Sequence, residues 1–375
     1  MKLLHLADLH IGKRVNGFNM IEDQRFALEQ ILSIVKEEDI ACILIAGDVY
    51  DQSVPSSEAM SIFDDFITAL TELEKDVLII AGNHDSAERL AFASRLMQKS
   101  KVYISKVFDG EIDKIVLEDS YGPINFYLLP FLKPIHVKCF HPDLKLDDFQ
   151  SAIDLVIESI DLDKSQRNVI LSHQFIVGAE RSDSEELYLG GSEAISLDTY
   201  KDFDYVALGH IHKKQAFREG KVRYPGSLLK YSKSEANYKK ATNIVDIRAK
   251  GDIEIIEKEI SYLHEMREIS GYFEDIIEAS KDDPRKEDYV HFNLFDQDEV
   301  FDGLARLREV YPNLMTMAYV KEKEFEDLEL VSFEMKEKDP FELFNEFYEF
   351  RKNRKLDEDK SELVKEVIRD VWGEL

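Results

Sequence analysis

Short apolar runs alternate with helical patterns through the first part of the chain. Five runs of about four to seven apolar residues are predicted to be strands buried on both faces. They are KLLHLAD, ACILIAGD, DVLIIAGN, NVILSHQ and DYVALGHIH. Between the first three runs, residues 24–37 and 58–73 carry apolar side chains at the spacing of amphipathic helices. Strand and helix in alternation predict a layered α/β domain.

After His212 the runs become shorter and alternate with polar residues, as in KVRYPGSL and NIVDIRA. This change predicts a second sheet. A domain boundary is expected near residues 260–265, because a strand (YVHFNLF), a helix over 300–311 and another strand (LMTMAYV) follow it. These three elements predict a small α/β module.

A third region opens at Asp339-Pro340, where Asp339 can cap a helix whose first turn contains the proline. Two amphipathic helices are predicted here. Their apolar positions include Phe341, Phe344, Phe347, Tyr348, Val367, Val371 and Trp372. A helix pair of this length is hardly stable alone. It either folds back on its own domain or binds a partner, and the aromatic stripe favours the partner.

Composition indicates a folded protein, since 44% of the residues are apolar and 33% are charged. The sequence contains neither a signal-peptide pattern nor an apolar run long enough to span a membrane. Cys42 lies inside an apolar run and far from Cys139, so a disulfide is not expected. We therefore expect a cytoplasmic protein.

The net charge of −28 argues against nucleic acid as a partner, because phosphates need cations. Residues 210–240 are an exception, with nine Lys or Arg against two acids. This basic segment is either a binding surface or a solvated loop, and its composition does not decide between them.

All five apolar runs end in side chains that can bind metal, and five of the ten histidines lie at these ends. One Asp after a strand is usually a turn or a helix cap. As a set, however, such residues can converge, because ligands bind at the carboxyl ends of strands in open α/β sheets. The candidate ligands are Asp8, His10, Asp48, Asn83, His173, His210 and His212.

Carboxylate, imidazole and amide oxygen, without thiolate, suit Mn²⁺, Fe²⁺ or Zn²⁺. Seven ligands are too many for one open catalytic ion. They suit two ions bridged by a carboxylate, an arrangement that acts on phosphoryl oxygens.

The motifs DLH, GDVYD, GNHD, SHQ and GHIH, in this order, resemble the calcineurin-like metallophosphoesterase superfamily. LHLADLHIGK, LPFLKP and YPGSLLKYS further resemble the SbcD family, the bacterial nuclease subunits of double-strand-break repair. The resemblance implies two sheets between helices, with two divalent ions, most often Mn²⁺. It also implies three parts: a nuclease domain (1–263), a DNA-capping domain (264–334) and a helical tail (335–375) that binds an ATPase partner.

The resemblance assigns the metal ligands as well. One ion would be held by Asp8, His10 and His212, and the other by Asn83, His173 and His210. Asp48 would bridge the two ions.

His84 would face the scissile phosphate as an acid or a stabiliser of the transition state. Asp85 is expected to orient the His84 ring, although it could instead cap the following helix, SAERL.

The implied reaction is cleavage of DNA, as a double-strand exonuclease and a single-strand or hairpin endonuclease. The implied partners are DNA, an SbcC-type coiled-coil ATPase and a second copy of the chain, within a heterotetramer. The sequence has no phosphate-binding loop of its own for ATP. Candidate DNA contacts are Lys13, Arg14, Lys213, Lys214, Lys230 and Lys233.

Two other functions stay open. The chain could be another dinuclear metallophosphoesterase that acts on nucleotides or phosphoproteins, or a scaffold without activity. The capping domain and the tail favour the nuclease, and the complete ligand set argues against the scaffold.

Overall fold

The computed structural model of the chain describes residues 1–185 and 193–320, with nine further residues: 341, 344, 345, 348, 360–362, 364 and 365. The chain divides into two compact units, Met1–Arg267 and Glu268–Leu375. Residues 321–340 lie outside the described residues. The three-part division with a boundary near residue 335 therefore stays a prediction.

Two six-stranded sheets form the first unit. The first sheet has the order β14-β13-β1-β4-β5-β6, and the second has the order β11-β12-β10-β9-β8-β7. The first sheet contains β1 (Lys2–Leu6), β4 (Cys42–Ala46), β5 (Asp76–Ile80), β6 (Val102–Ile104), β13 (Ala241–Ile247) and β14 (Ile253–Glu259). The second contains β7 (Asp113–Asp119), β8 (Gly122–Leu129), β9 (Arg167–His173), β10 (Tyr205–Gly209), β11 (Gln215–Phe217) and β12 (Val222–Tyr224).

The five predicted strands are β1, β4, β5, β9 and β10, and each is almost wholly buried. The prediction that the strands after His212 make a second sheet is confirmed for β11 and β12 and wrong for β13 and β14. β9 and β10 already belong to the second sheet, whereas β13 pairs antiparallel with β1 in the first. Alternation along a strand shows that one face is half-exposed, but it does not show which sheet the strand joins.

Helices cover the sheets of this unit. Their bounds are α1 (Ile21–Glu37), α2 (Ser57–Glu72), α3 (Ala87–Leu90), α4 (Ser94–Met97), α5 (Pro134–Lys138) and α6 (Phe149–Glu158). A short β2–β3 ribbon (Arg14–Val15 and Phe18–Asn19) precedes α1, and four 3-10 turns lie at Gln98–Ser100, Leu197–Tyr200, Arg218–Gly220 and Lys233–Glu235. Ser56 caps α2, because its side chain accepts a hydrogen bond from the Ala59 amide.

The core lies in layers. Leu44 and Leu78 of the first sheet pack in one apolar cluster with Phe126 and Val169 of the second. A separate cluster joins the other face of the second sheet to α6, where Ile153 is fully buried. Two sheets packed face to face and covered by helices confirm the predicted α/β sandwich.

The second unit contains a three-stranded sheet in the order β15-β16-β17. Its elements are β15 (Met266–Gly271), α7 (Phe273–Ser280), β16 (Tyr289–Leu294), α8 (Gly303–Val310) and β17 (Leu314–Tyr319). Phe273, Phe292 and Leu307 are fully buried in its core. β16, α8 and β17 are the three elements predicted for the small α/β module.

The tail is described only in part. Phe341, Phe344 and Tyr348 are helical, and the rings of Phe344 and Tyr348 stack with centroids 6.4 Å apart. The Lys365 Nζ lies 4.6 Å from the centroid of the Phe341 ring. The other predicted partner-binding residues, namely Phe347, Val367, Val371 and Trp372, lie outside the described residues. Among the helices that are described, none is long and apolar enough to cross a membrane.

Candidate metal centre

The seven candidate ligands follow strands of both sheets. Asp8 and His10 follow β1, Asp48 follows β4 and Asn83 follows β5, all in the first sheet. His173 ends β9, and His210 and His212 follow β10, in the second sheet. β1, β4 and β5 are mutually parallel, and so are β9 and β10. Their carboxyl ends therefore deliver the side chains to one place, as predicted from the motifs.

One half of the cluster is built from Asp8, His10 and His212, whose ligand atoms lie within 4.8 Å of one another. The Nε2 atoms of His10 and His212 face each other at 2.9 Å. Two imidazole lone pairs aimed at each other repel unless a proton or a cation lies between them. Asp8 Oδ2 is buried and has no hydrogen-bond partner in the described part of the chain.

The other half is built around Asn83. Its Oδ1 lies 3.0 Å from His173 Nε2 and 2.9 Å from His210 Nδ1. Asp48 connects the two halves, because its Oδ2 lies 3.2 Å from His173 Nε2 and 3.6 Å from His10 Nε2. Buried oxygens and imidazoles without sufficient partners fit divalent ions, since an unpaired buried charge is costly.

Backbone strain accompanies the ligands. Four of them have the left-handed φ that side chains other than glycine rarely adopt: 53° at Asp8, 45° at His10, 50° at Asp48 and 102° at His210. Such strain costs on the order of 1–3 kcal/mol per residue and persists where the surrounding structure enforces it. The fold thus stabilises an arrangement of side chains that the local backbone opposes.

Glycines allow the two sheets to approach at the cluster. A Cβ at Gly82 would overlap the Asp48 carboxylate, and a Cβ at Gly209 would overlap the Ala46 carbonyl and the His173 ring. These positions need glycine because backbone and ligands pass too close for a side chain.

Gly209→Ala is therefore expected to lower the free energy of unfolding by about 1–3 kcal/mol, the usual cost of overpacking a tight core. Denaturant unfolding measures this loss. Gly271→Ala is the matched control: Gly271 also ends a strand, but its nearest contact would be an ordinary 3.6 Å to Ile276. Equal stability of the two variants would contradict the expected overlap.

Charge in the cluster is concentrated on Asp48 and His173. Burial opposes ionisation of both groups, but the opposite charge of each group stabilises the charged form of the other. The charge of His173 holds the pKa of Asp48 well below its ordinary value. The Asp48 charge raises the pKa of His173 to about 9. Without metal the two groups form an ion pair, and a metal ion ligated by His173 would displace the proton from its ring.

His84 lies beside the cluster and is only partly buried. Its ring packs edge-on against His10 with centroids 4.7 Å apart, and its amide donates to Asp48 Oδ1 at 2.9 Å. The Nδ1 atom lies 3.0 Å from the Asp51 carbonyl oxygen. Together with His10 and Asp48, His84 also forms a group whose ligand atoms lie close enough to hold a metal ion.

The expectation that Asp85 orients His84 is corrected by the structure. The Asp85 carboxylate accepts hydrogen bonds from the backbone amides of Val49, Tyr50 and Gly82, at 2.9–3.1 Å. Asp85 therefore links the loop after β4 to the loop after β5. The group that orients the His84 ring is instead the Asp51 carbonyl. The alternative role is excluded too, because Ser86 caps α3.

Three contacts to the ligands and to the loop that carries them were not predicted from the sequence. Gln24 donates to the His10 carbonyl at 2.7 Å, and the Tyr231 hydroxyl donates to the Leu9 carbonyl at 2.7 Å, so both fix the loop after β1. Glu193 Oε1 lies 3.9 Å from His210 Nε2. Gln24 could have been suspected as a polar residue on the apolar face of α1, whereas the other two gave no local signal.

Most predicted DNA contacts are paired with acids. Lys13 pairs with Asp51 at 2.7 Å and Lys214 with Glu257 at 2.7 Å, and Lys213 pairs with Glu180. Arg14 is exposed and donates to the Gly17 carbonyl, and Lys233 is partly exposed.

Lys230 is a correction. Its side chain is only 6% exposed, and its ammonium group donates to the Ala236 carbonyl and to Glu265. Its ammonium group is therefore bonded within the protein and is not presented to DNA. The basic segment is thus largely neutralised by acids distant in sequence.

Two family models and a curated relative agree with this architecture. Residues 1–214 match the calcineurin-like phosphoesterase family, and residues 262–352 match a family described as the type 5 capsule protein repressor C-terminal domain. Over 372 residues the chain is 32% identical to the SbcD subunit of the nuclease SbcCD from Staphylococcus epidermidis, covering 98% of each chain. A dimetal phosphatase from Danio rerio is 12% identical, with a TM-score of 0.41 over 70% of this chain and 99% of the other.

The two-sheet sandwich and the match over residues 1–214 define a metal-dependent phosphoesterase of the calcineurin-like class, which uses divalent ions. Within that class the full-length match is decisive, and the chain belongs to the SbcD family.

Proposed function

We propose that the chain is a Mn²⁺-dependent DNA nuclease, active as a double-strand exonuclease and as a single-strand or hairpin endonuclease. In this proposal it is the nuclease subunit of an SbcCD-type complex in DNA repair and recombination. The observation that carries the proposal is the position of Asp48, whose Oδ2 lies within 3.6 Å of histidines from both halves of the cluster.

Two divalent ions supply activation of a water nucleophile and neutralisation of charge on phosphoryl oxygens. Asp8, His10 and His212 would hold one ion, and Asn83, His173 and His210 would hold the other. Asp48 would touch both. Asn83 contributes a neutral oxygen, which limits the negative charge in a site that receives a phosphodiester.

His84 is proposed as the group that acts on the phosphodiester. The Asp51 carbonyl accepts a hydrogen bond from the Nδ1–H, so the Nε2 side of the ring is left for the substrate. In its doubly protonated form the ring also carries a proton on Nε2, and this imidazolium would donate that proton or a hydrogen bond to an oxygen that gains charge. The hydrogen bond from the His84 amide to Asp48 fixes the distance between this residue and the proposed bridging ligand.

The partner of the proposed nuclease is an SbcC-type coiled-coil ATPase, which would bind the tail over 335–375. Residues 264–334 would help to position DNA. This division of labour suits the charge of the chain: a net charge of −28 and neutralised lysines leave much of the grip on phosphates to the partner. We also propose a homodimer within a heterotetramer.

A nuclease assay tests the proposal. With Mn²⁺ and without a partner, the purified chain is expected to shorten linear double-stranded DNA and to cleave hairpin and single-stranded DNA, whether or not ATP is added. Mg²⁺, Zn²⁺ and a chelator in parallel reactions identify the metal. Hydrolysis of mononucleotides or phosphopeptides with DNA left intact would overturn the proposal in favour of another metallophosphoesterase activity.

A further inference from the structure

The His212 ring is held from the side opposite the metal centre. Its Nε2 faces His10, whereas its Nδ1 lies 2.5 Å from Ser184 Oγ. A histidine that binds metal through Nε2 carries its proton on Nδ1, and that N–H needs an acceptor. Ser184 is placed to be this acceptor.

The Ser184 hydroxyl is itself oriented by a buried acid. Its Oγ lies 2.6 Å from Glu235 Oε1, so a proton donated by Nδ1 to Ser184 leaves the hydroxyl hydrogen to point at the carboxylate. Glu235 is completely buried and forms an ion pair with Lys240, which is also buried. The charge of Lys240 and hydrogen bonds from Ser184 and Ser232 keep the pKa of Glu235 below its ordinary value despite its burial.

Lys240 contacts the same histidine by a second route. Its Nζ donates to the His212 carbonyl at 2.8 Å and to Ser227 Oγ at 2.8 Å. The ion pair thus reaches the ring of His212 through Ser184 and the backbone of His212 directly. A chain of contacts runs from Lys240 through Glu235 and Ser184 to the His212 imidazole.

A buried ion pair is a weak source of stability, because desolvation of both charges offsets their attraction. Packing alone therefore explains poorly why this pair ends on a candidate ligand. We infer that Ser184, Glu235 and Lys240 are positioning residues that fix the tautomer and the direction of the His212 ring, and thereby strengthen one of the two metal sites. This inference rests on the proposed metal site of the nuclease.

Manganese binding tests the relay apart from activity. Mn²⁺ is titrated into the metal-free full-length chain, and the electron paramagnetic resonance signal of unbound Mn²⁺ reports how many ions are held and how tightly. Loss of an outer-shell partner typically weakens metal binding about 10–100-fold. Ser184→Ala is expected to weaken the binding of one ion by this factor and to leave the affinity for the other ion unchanged. Ser184→Thr is expected to restore the lost affinity.

Ser182→Ala is the matched control. Ser182 lies on the same segment, and its hydroxyl contacts Ser184 at 2.8 Å and Glu235 at 3.3 Å, but no bond joins it to His212. This variant is expected to bind both ions as the wild type does. Thermal unfolding of the metal-free variants shows whether each has folded.

Glu235→Gln, combined with Lys240→Met so that no buried charge is left unpaired, tests the far end of the relay. This double variant is expected to weaken the binding of the same ion as Ser184→Ala does.

Wild-type affinity for both ions in Ser184→Ala would overturn the relay and leave the proposed nuclease standing. Equal losses in Ser182→Ala and Ser184→Ala would also overturn it, since they would assign the effect to packing of the segment. A wild-type chain that holds no Mn²⁺ would overturn the proposed function, and the relay with it.

Discussion

Asp48→Asn is expected to abolish metal-dependent cleavage and to weaken binding of both ions, in contrast to the single ion affected by the relay. Asparagine keeps the shape of the side chain. It also keeps an oxygen that can accept the hydrogen bond from the His84 amide, which lies 2.9 Å from Asp48 Oδ1. It removes the negative charge that both halves of the cluster share. Removal of a residue that only hydrogen-bonds to a metal ligand typically lowers metal affinity about 10–100-fold. Loss of the charge on a ligand shared by both ions is therefore expected to lower the affinity more than about 100-fold. Mn²⁺ titration and a cleavage assay measure the two losses.

Asp76→Asn is the control for this variant. Asp76 begins β5, at the end of the strand opposite the cluster, and its pKa is raised by partial burial. It is expected to leave both metal binding and cleavage unchanged. An Asp48→Asn chain that held two ions with near wild-type affinity would rule out Asp48 as the bridge.

The strands that position the site could be predicted because they are buried on both faces. β4 and β9 are continuous apolar runs, and burial of this kind leaves an unambiguous record in the sequence. The ligand motifs stood out for a related reason. A polar side chain directly after such a run contrasts with everything around it, and the same contrast recurred five times.

Edge strands were missed because their sequences are half polar. β7 reads DKIVLED and β14 reads IEIIEKE, and each alternates between exposed and partly buried residues. Such a pattern is also compatible with surface helix or loop. Assignment of β13 to the first sheet depends on its pairing with β1, about 240 residues away, and no local pattern encodes such a pairing.

The errors at the site have the same origin. Asp85 adjoins His84 in the sequence, but its carboxylate bonds to backbone amides that include Val49 and Tyr50, about 35 residues away. Lys230 belongs to a basic segment, yet its ammonium pairs with Glu265. Local charge and adjacency predict which groups are present, whereas the fold decides which acid or amide each one meets.

His84→Gln is expected to lose about 10²–10⁴-fold in cleavage rate while both ions remain bound. Glutamine can still donate a hydrogen bond but cannot supply a proton to a leaving oxygen, and acid catalysis typically contributes this factor. Single-turnover cleavage of linear DNA with saturating Mn²⁺ measures the rate, and Mn²⁺ titration measures the ions.

His141→Gln provides the matched substitution, because His141 lies in a turn after α5 and belongs to none of the candidate metal groups of the described chain. It is expected to cleave at the wild-type rate. Two other outcomes for His84→Gln carry distinct meanings. Retained cleavage would remove His84 from the chemistry, so that a water molecule would have to supply the proton to the leaving oxygen. Loss of an ion would make His84 a ligand instead, through the group that it forms with His10 and Asp48.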